Sequence, residues 1–373
     1  MEIFKSILIY CLFFLIYLFL YYHFLKFCKV KGVYGIKKNI LLFSSTIPLI
    51  ILFSFRNYSV GTDFKTYLDY YKMVKSFDLN FDVLFNSFLE PLWIIISYFF
   101  NLFNIPFRVF LIFICSVFCW FQILIVNKFE NKYVNFLCQL IIYVTMFSLF
   151  LNTTRQQLAA IIILYSLFLL KDNKIIKYFV FIIIASMIHK SSLIALSFPL
   201  FKMIIRNNKL TLVLLFVIFL SPLWAFLVEK PFNYLLYLLN PYNPYINVGN
   251  GFDCGFLFYT IPLLVIIFVL YMYSKKKNIF FWNNYIKFLF FLYMLHFLCQ
   301  SMGGYFFPLE RLSFYFSAVQ VILCPEILNL FKNNKGLTTI FSCFVLWYII
   351  YYFVMFIILR GNEIYPFYFI GIA

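Results

Sequence analysis

The chain has 373 residues, is 65% hydrophobic and carries a formal net charge of +17. A mean hydropathy of +0.95 excludes a soluble domain, and continuous rather than alternating apolar runs exclude a membrane barrel. In so apolar a chain the positive charge reads as lysines flanking membrane spans, not as a nucleic-acid surface.

The first apolar run, 6–24, is bulky, lacks a small-residue cleavage site and is followed by further runs. It predicts a retained first span rather than a removed signal. A second span is expected at 39–55, ending on Arg56. The segment 56–90 then forms the first large outer loop. Within it Phe64, Tyr67, Leu68, Tyr71, Val74 and Phe77 follow helical spacing. Lys65, Asp69, Lys72 and Lys75 fill the other faces, which predicts an amphipathic helix lying on the membrane.

The apolar run 91–103, between Glu90 and Asn104, is short for a span and suits a re-entrant segment. Spans follow at 107–127, 134–151 and 155–170. The stretch 175–201 joins two lysine-rich loops yet carries His189-Lys190 at its middle. Two short helices meeting at an outward apex, beside a polar cavity, reconcile these facts. A second outer loop, 229–255, separates spans at 210–228 and 256–273. Spans at 280–301, 308–328 and 337–359 complete an all-α polytopic membrane protein. It forms one transmembrane domain, 1–373, with about 10–12 membrane helices plus short re-entrant segments.

Most basic residues fall in alternate connections: Lys26–Lys38, Lys128 and Lys132, Lys171–Lys177, Lys202–Lys209, Lys275–Lys277, and Lys332 with Lys335. The positive-inside rule makes these loops cytoplasmic. Most acidic residues and both termini then face outward. The nine cysteines lie mostly in apolar runs without metal-ligand spacing and read as packing residues. Nothing in the pattern requires a metal or a cofactor.

With this topology, unusual polar residues collect on the outer side. Arg56 ends the second span, and Asp63 follows in Arg56-Asn-Tyr-Ser-Val-Gly-Thr-Asp63. Arg155 starts a span within Asn152-Thr-Thr-Arg-Gln-Gln-Leu-Ala-Ala160. His189 marks the apex, and Glu310-Arg311 opens a later span. Charged side chains at membrane depth are costly and mark function by default. Only six of the 30 basic residues are arginine, and three of the six stand at this boundary. Their guanidinium forks match phosphate oxygens. Snorkelling to headgroups, or pairing with Asp63 or Glu310, would account for any one of them alone. A neutral His189 could take a proton from a hydroxyl; Asp63 and Glu310 are competing bases or orienting partners.

These residues resemble the EpsG family, whose members are similar to Wzy-type polymerases of exopolysaccharide, capsule and O-antigen. The matching pieces are Arg56 through Gly61-Thr-Asp63 with Tyr67, Glu90-Pro91, Asn152 through Gln156 with Leu158-Ala159, and His189 with Ser191. Arg311 with Tyr315-Phe316, and Tyr365-Pro366, match more weakly. Lys190 directly after His189 departs from the pattern.

The resemblance implies a multi-pass protein of the bacterial cytoplasmic membrane with a GT-C-like fold. It implies that undecaprenyl-pyrophosphate-linked oligosaccharide repeat units are joined at the outer face, with stereochemistry open. A flippase and a chain-length regulator would be further partners, beside the membrane lipids. On this reading Arg155 and Arg56 hold the pyrophosphate with Arg311 assisting, and His189 or Asp63 acts as base. Gln156, Glu310 and Glu90 complete the expected substrate contacts. A lipid-linked glycan transporter, an acyltransferase and a single-addition glycosyltransferase or ligase are the alternatives. The gathering of charge at one boundary, without an internal repeat, favours the enzyme over the transporter.

Overall fold

A computed structural model describes residues 2–77, 84, 89–207, 214, 264, 267, 283–303, 307–331, 336–354, 364 and 367–369. These residues are almost entirely helical, and their one bridge of extended chain pairs Arg56 with Phe369. Among them, four helices are long and apolar enough to cross a membrane, and a bent pair makes a fifth. The protein is therefore an all-helical, multi-pass membrane protein. The expected spans 210–228 and 256–273 and the loop 229–255 lie outside the described residues.

Helix α1 (Glu2–Lys31) runs ahead of α2 (Gly35–Ser44) and α3 (Ile47–Ser54). The last two are the expected second span, bent by 48° where Ser45 and Thr46 turn their hydroxyls back onto the carbonyls of Leu42 and Phe43. Helix α4 is Phe64–Val74 and α5 is Pro91–Leu102. At 12 residues α5 extends about 18 Å, short of the roughly 30 Å hydrocarbon layer. Helix α6 (Phe107–Val126) follows, then α7, Lys132–Phe150. Within α7, Ile142–Phe147 is a π-turn. Thr145 and Ser148 donate there to the carbonyls of Ile141 and Tyr143, which suits widened turns.

Helix α8 (Thr154–Lys171) packs against α6 and α9 (Ile175–Ile188). Nearly every side chain of α8 is buried, so it is the central post of the bundle. A 3-10 helix (Lys190–Ser197) and α10 (Phe198–Ile204) continue from α9. Lys202 Nζ donates to Asn173 Oδ1 at 3.0 Å, so the chain returns to where α9 began. The two arms meet at His189, as the sequence predicts. Helices α11 (Asn284–Gly303), α12 (Phe307–Ser317), α13 (Gln320–Leu330) and α14 (Leu337–Tyr352) close the fold. Helices α12 and α13 run on through a turn at 318–319 as one spanning unit, Arg311–Leu330, where the sequence expects a span at 308–328.

The two ends of the bundle differ in character. Tyr21 and Tyr22 of α1 bond to Asn127 and Asn135, and Lys128 lies over the Phe168 ring. That places the lysine groups 26–38, 128–132 and 171–174 at one end. At the other, Arg108 Nη1 donates to the carbonyls of Ser54 and Arg56. Ser6 Oγ accepts from Phe367 N at 2.8 Å, and Asn57 N donates to Tyr368 O at 2.7 Å. The start of α1 and residues 367–369 thus meet beside Arg56.

One expectation is corrected. The apolar face of α4 does not lie on lipid. Phe64, Tyr67, Tyr71 and Val74 are buried against α5 and α6, with ring contacts from Tyr67 to Trp93 and from Tyr71 to Phe107 and Phe110. Helical spacing identifies the apolar stripe, but protein and lipid satisfy a stripe equally well.

Candidate active site

The site begins with a turn. Helix α7 stops at Phe150 because Thr153 and Thr154 return their hydroxyls to the carbonyls of Leu149 and Phe150, occupying acceptors a helix end leaves open. The segment 56–63 fastens this turn. Asn152 Oδ1 accepts from Thr62 Oγ1 and from Asp63 N, both at 2.8 Å. Gly61 has φ +90°, and a Cβ there would stand 2.7 Å from Leu151 O. Only glycine combines that conformation with so close an approach.

Arg56 belongs to the same fastening. Its side chain is fully buried, with the guanidinium carbon 4.2 Å from the Phe53 ring centroid and 4.1 Å from that of Phe64. Its N–H groups donate to the carbonyls of Phe53, Val60 and Leu151. Those acceptors are backbone carbonyls, so the structure sets Arg56 beneath the site rather than on its surface.

From the fastened turn α8 starts at Thr154, which places Arg155 and Gln156 in its first turn. Arg155 Nη1 pairs with Glu90 Oε2. Glu90 stands just before α5, held by the rigid Glu90-Pro91 step at the helix start. The other carboxylate oxygen of Glu90 lies 2.9 Å from His189 Nδ1 and 3.3 Å from Lys190 N. Burial alone would push the Glu90 carboxyl up, but the His189 hydrogen bond and the Arg155 charge outweigh it and hold it below its ordinary range.

His189 owes its position to the helix break. Its backbone is extended, φ −154° and ψ 114°, between α9 and the 3-10 helix. Tyr178 donates to Ala195 O and ties the two arms together. Ser191 Oγ meets Tyr315 OH at 3.1 Å and ties the apex to α12. Since an ionised Glu90 can only accept, Nδ1 of a neutral His189 carries the proton and Nε2 is the lone-pair nitrogen. Among the described residues, neither His189 Nε2 nor Arg155 Nε, both buried, has a hydrogen-bond partner. Buried polar groups without a protein partner are uncommon, and these two belong to residues that line one cavity.

A cavity of about 420 Å³ opens here. Asp63, Arg155, Gln156, His189 and Arg311 all line it; Glu90 lies behind, bound to two of them. Gln156 Nε2 donates to the carbonyl of Arg311, which seats α12 against α8. Arg311 is exposed on its cavity rim. The side chain of Glu310 lies outside the described residues, as do Tyr365 and Pro366.

The cavity also holds residues that were not singled out as site candidates: Thr66, Tyr70 and Phe314. The signal for two of them is simple. Thr66 and Tyr70 stand three and seven residues after Asp63, the spacing of one helix face. The Arg155 guanidinium carbon is 5.8 Å from the ring centroids of both Tyr67 and Tyr70, within reach of cation–π attraction.

Comparison with curated proteins and with solved structures finds no match. The model of the EpsG family matches residues 39–369, a range that includes every residue lining the cavity. The chain belongs to the EpsG family, whose members are Wzy-like polysaccharide polymerases.

Proposed function

We propose that this chain joins undecaprenyl-pyrophosphate-linked oligosaccharide repeat units at the outer face of the bacterial cytoplasmic membrane. The observation that carries the reading is the Arg155–Glu90–His189 chain, whose outer members both line the cavity and each keep one buried nitrogen without a partner among the described residues. The arginine retains donors for an anion while the histidine retains an acceptor for a proton. The lysine-rich end of the bundle is cytoplasmic by the positive-inside rule, so the cavity faces outward.

In the proposed step an acceptor hydroxyl gives its proton to His189 Nε2. Its oxygen bonds to the anomeric carbon of a second unit, and the bond from that carbon to the pyrophosphate oxygen breaks with its electron pair. Arg155, Arg311 and the N-terminal turn of α8 stabilise the charge that develops on the leaving group. Glu90 steadies the imidazolium formed on His189. Arg56 acts beneath this chemistry by holding the Leu151 carbonyl and hence the turn that launches Arg155. Asp63 orients the hydroxyl-bearing substrate.

The test is the size distribution of surface glycan in cells carrying Arg155→Ala or His189→Ala, with membrane levels of the protein measured alongside. Glycan reduced to single repeat units, with the protein present, supports polymerisation. Lipid-linked units trapped inside the cell would favour transport. An unchanged ladder in both variants would overturn the site.

A further inference from the structure

One wall of the cavity is helix α4, and its chemistry differs from that of the wall opposite. Asp63, Thr66 and Tyr70 share a face by their spacing, and all three line the cavity beside Tyr67. The adjoining face of α4 is anchored in the protein through Phe64, Tyr71 and Val74. The wall is therefore rigid rather than a loose outer loop. Asp63 enters none of the ion pairs among the described residues. Its backbone N–H is pinned to Asn152, which fixes where the carboxylate stands.

A lipid-linked sugar diphosphate has two chemically opposed parts. The diphosphate seeks cations and is repelled by a carboxylate. The glycan presents hydroxyls, which a carboxylate accepts, and apolar C–H faces, which aromatic rings cover. The cavity offers partners for both parts: Arg155 and Arg311 come from α8 and α12, the Asp63 carboxylate stands at the start of α4, and the Tyr70 ring of α4 lies 5.8 Å from the Arg155 guanidinium carbon.

We propose that the α4 face built from Asp63, Thr66 and Tyr70 is a glycan subsite, which holds the sugar of the acceptor unit while the diphosphate is held at Arg155 and Arg311. This rests on the polymerase reading of the cavity. Tyr70 covers one C–H face of the sugar. Asp63 accepts from its hydroxyls and so turns one of them toward His189. The subsite thereby helps to select which hydroxyl is joined.

Thr66 is exposed at the cavity, so a Thr66→Cys variant in membranes can be labelled from outside with an impermeant maleimide, against the wild-type background. Two probes are compared: undecaprenyl pyrophosphate without sugar, and the lipid-linked oligosaccharides extracted from cells lacking this protein. The proposal requires protection by the sugar-bearing lipid and little by the bare lipid. Equal protection by both would place the diphosphate at α4 and overturn it; protection by neither would also overturn it. The polymerase reading is judged separately, by whether wild-type membranes lengthen the same extract. In that assay Tyr70→Ala should raise KM for the extract about tenfold, and Tyr70→Phe, which keeps the ring, should raise it less. A loss confined to kcat would count against a binding role.

Discussion

His189 Nδ1 lies 2.9 Å from Glu90 Oε1, although 99 residues of chain separate them. Each is placed by a helix boundary. Glu90 precedes the proline-started α5, and His189 fills the extended break between α9 and the 3-10 helix. Neither side chain is secured by its own element alone. The carboxylate is shared with Arg155 at the first turn of α8, so three boundaries converge on one anion.

Glu90 and His189 should behave as a unit. Glu90→Gln keeps the shape of the side chain and removes the charge that fixes the tautomer, so chain lengthening should fall about a hundredfold or more, within the range of acid–base assistance. His189→Gln should cost a similar factor, and the double variant little more than either. Rates of lengthening in membranes supplied with lipid-linked units test this. Losses that multiply would show that the two act separately.

Arg56 and Arg311 should part company. Arg56→Ala leaves three carbonyls without donors and opens a void between two rings, a loss on the order of 3–5 kcal/mol. Arg56→Lys restores little, because an ammonium cannot fill the planar stack between Phe53 and Phe64. Both variants should lower the melting temperature of the solubilised protein. Arg311→Ala, at an exposed position, should leave stability within about 0.5 kcal/mol and abolish polymer. An Arg56→Ala protein as stable as wild type would return that residue to direct substrate contact.

Gly61→Ala places a methyl group against the Leu151 carbonyl at a positive φ. Backbone strain of this kind costs about 1–3 kcal/mol, and steric relief here requires the Asn152 turn to move. Reduced stability together with reduced polymer is expected. Normal function with Ala or a larger residue would show that the turn is not held as described.

Acid sensitivity follows from Glu90. Its carboxyl is held below the ordinary 4.5, so the unfolded chain binds more protons than the native one as pH falls toward that value. The stabilisation is complete above the unfolded pKa and is lost as pH drops through the lower native one. This contribution to thermal stability should hold from neutrality to about pH 5 and decline below. Glu90→Gln should flatten the acid limb. Parallel profiles for the two proteins would count against a depressed carboxyl.

Hydropathy and lysine spacing determined the membrane class, the helical architecture and most element positions, because burial in hydrocarbon imposes long apolar runs whatever the packing. The break at His189 was legible for a related reason: two lysine-rich loops must lie at one end, so the chain between them must turn back. Arg155, Gln156, His189 and Arg311 stood out as expensive polar groups at a boundary. Tertiary structure alone decided how they are used. A boundary arginine reads the same whether it meets a phosphate or three backbone carbonyls, and only packing assigned Arg56 to the carbonyls. Glu90 could be read as a substrate contact, but its place between Arg155 and His189 depends on pairings across 65 and 99 residues, for which one sequence carries no periodic signal. The same limit applied to α4, whose stripe was visible while its neighbour was not, since hydrophobic burial is non-directional and does not name the surface it packs against.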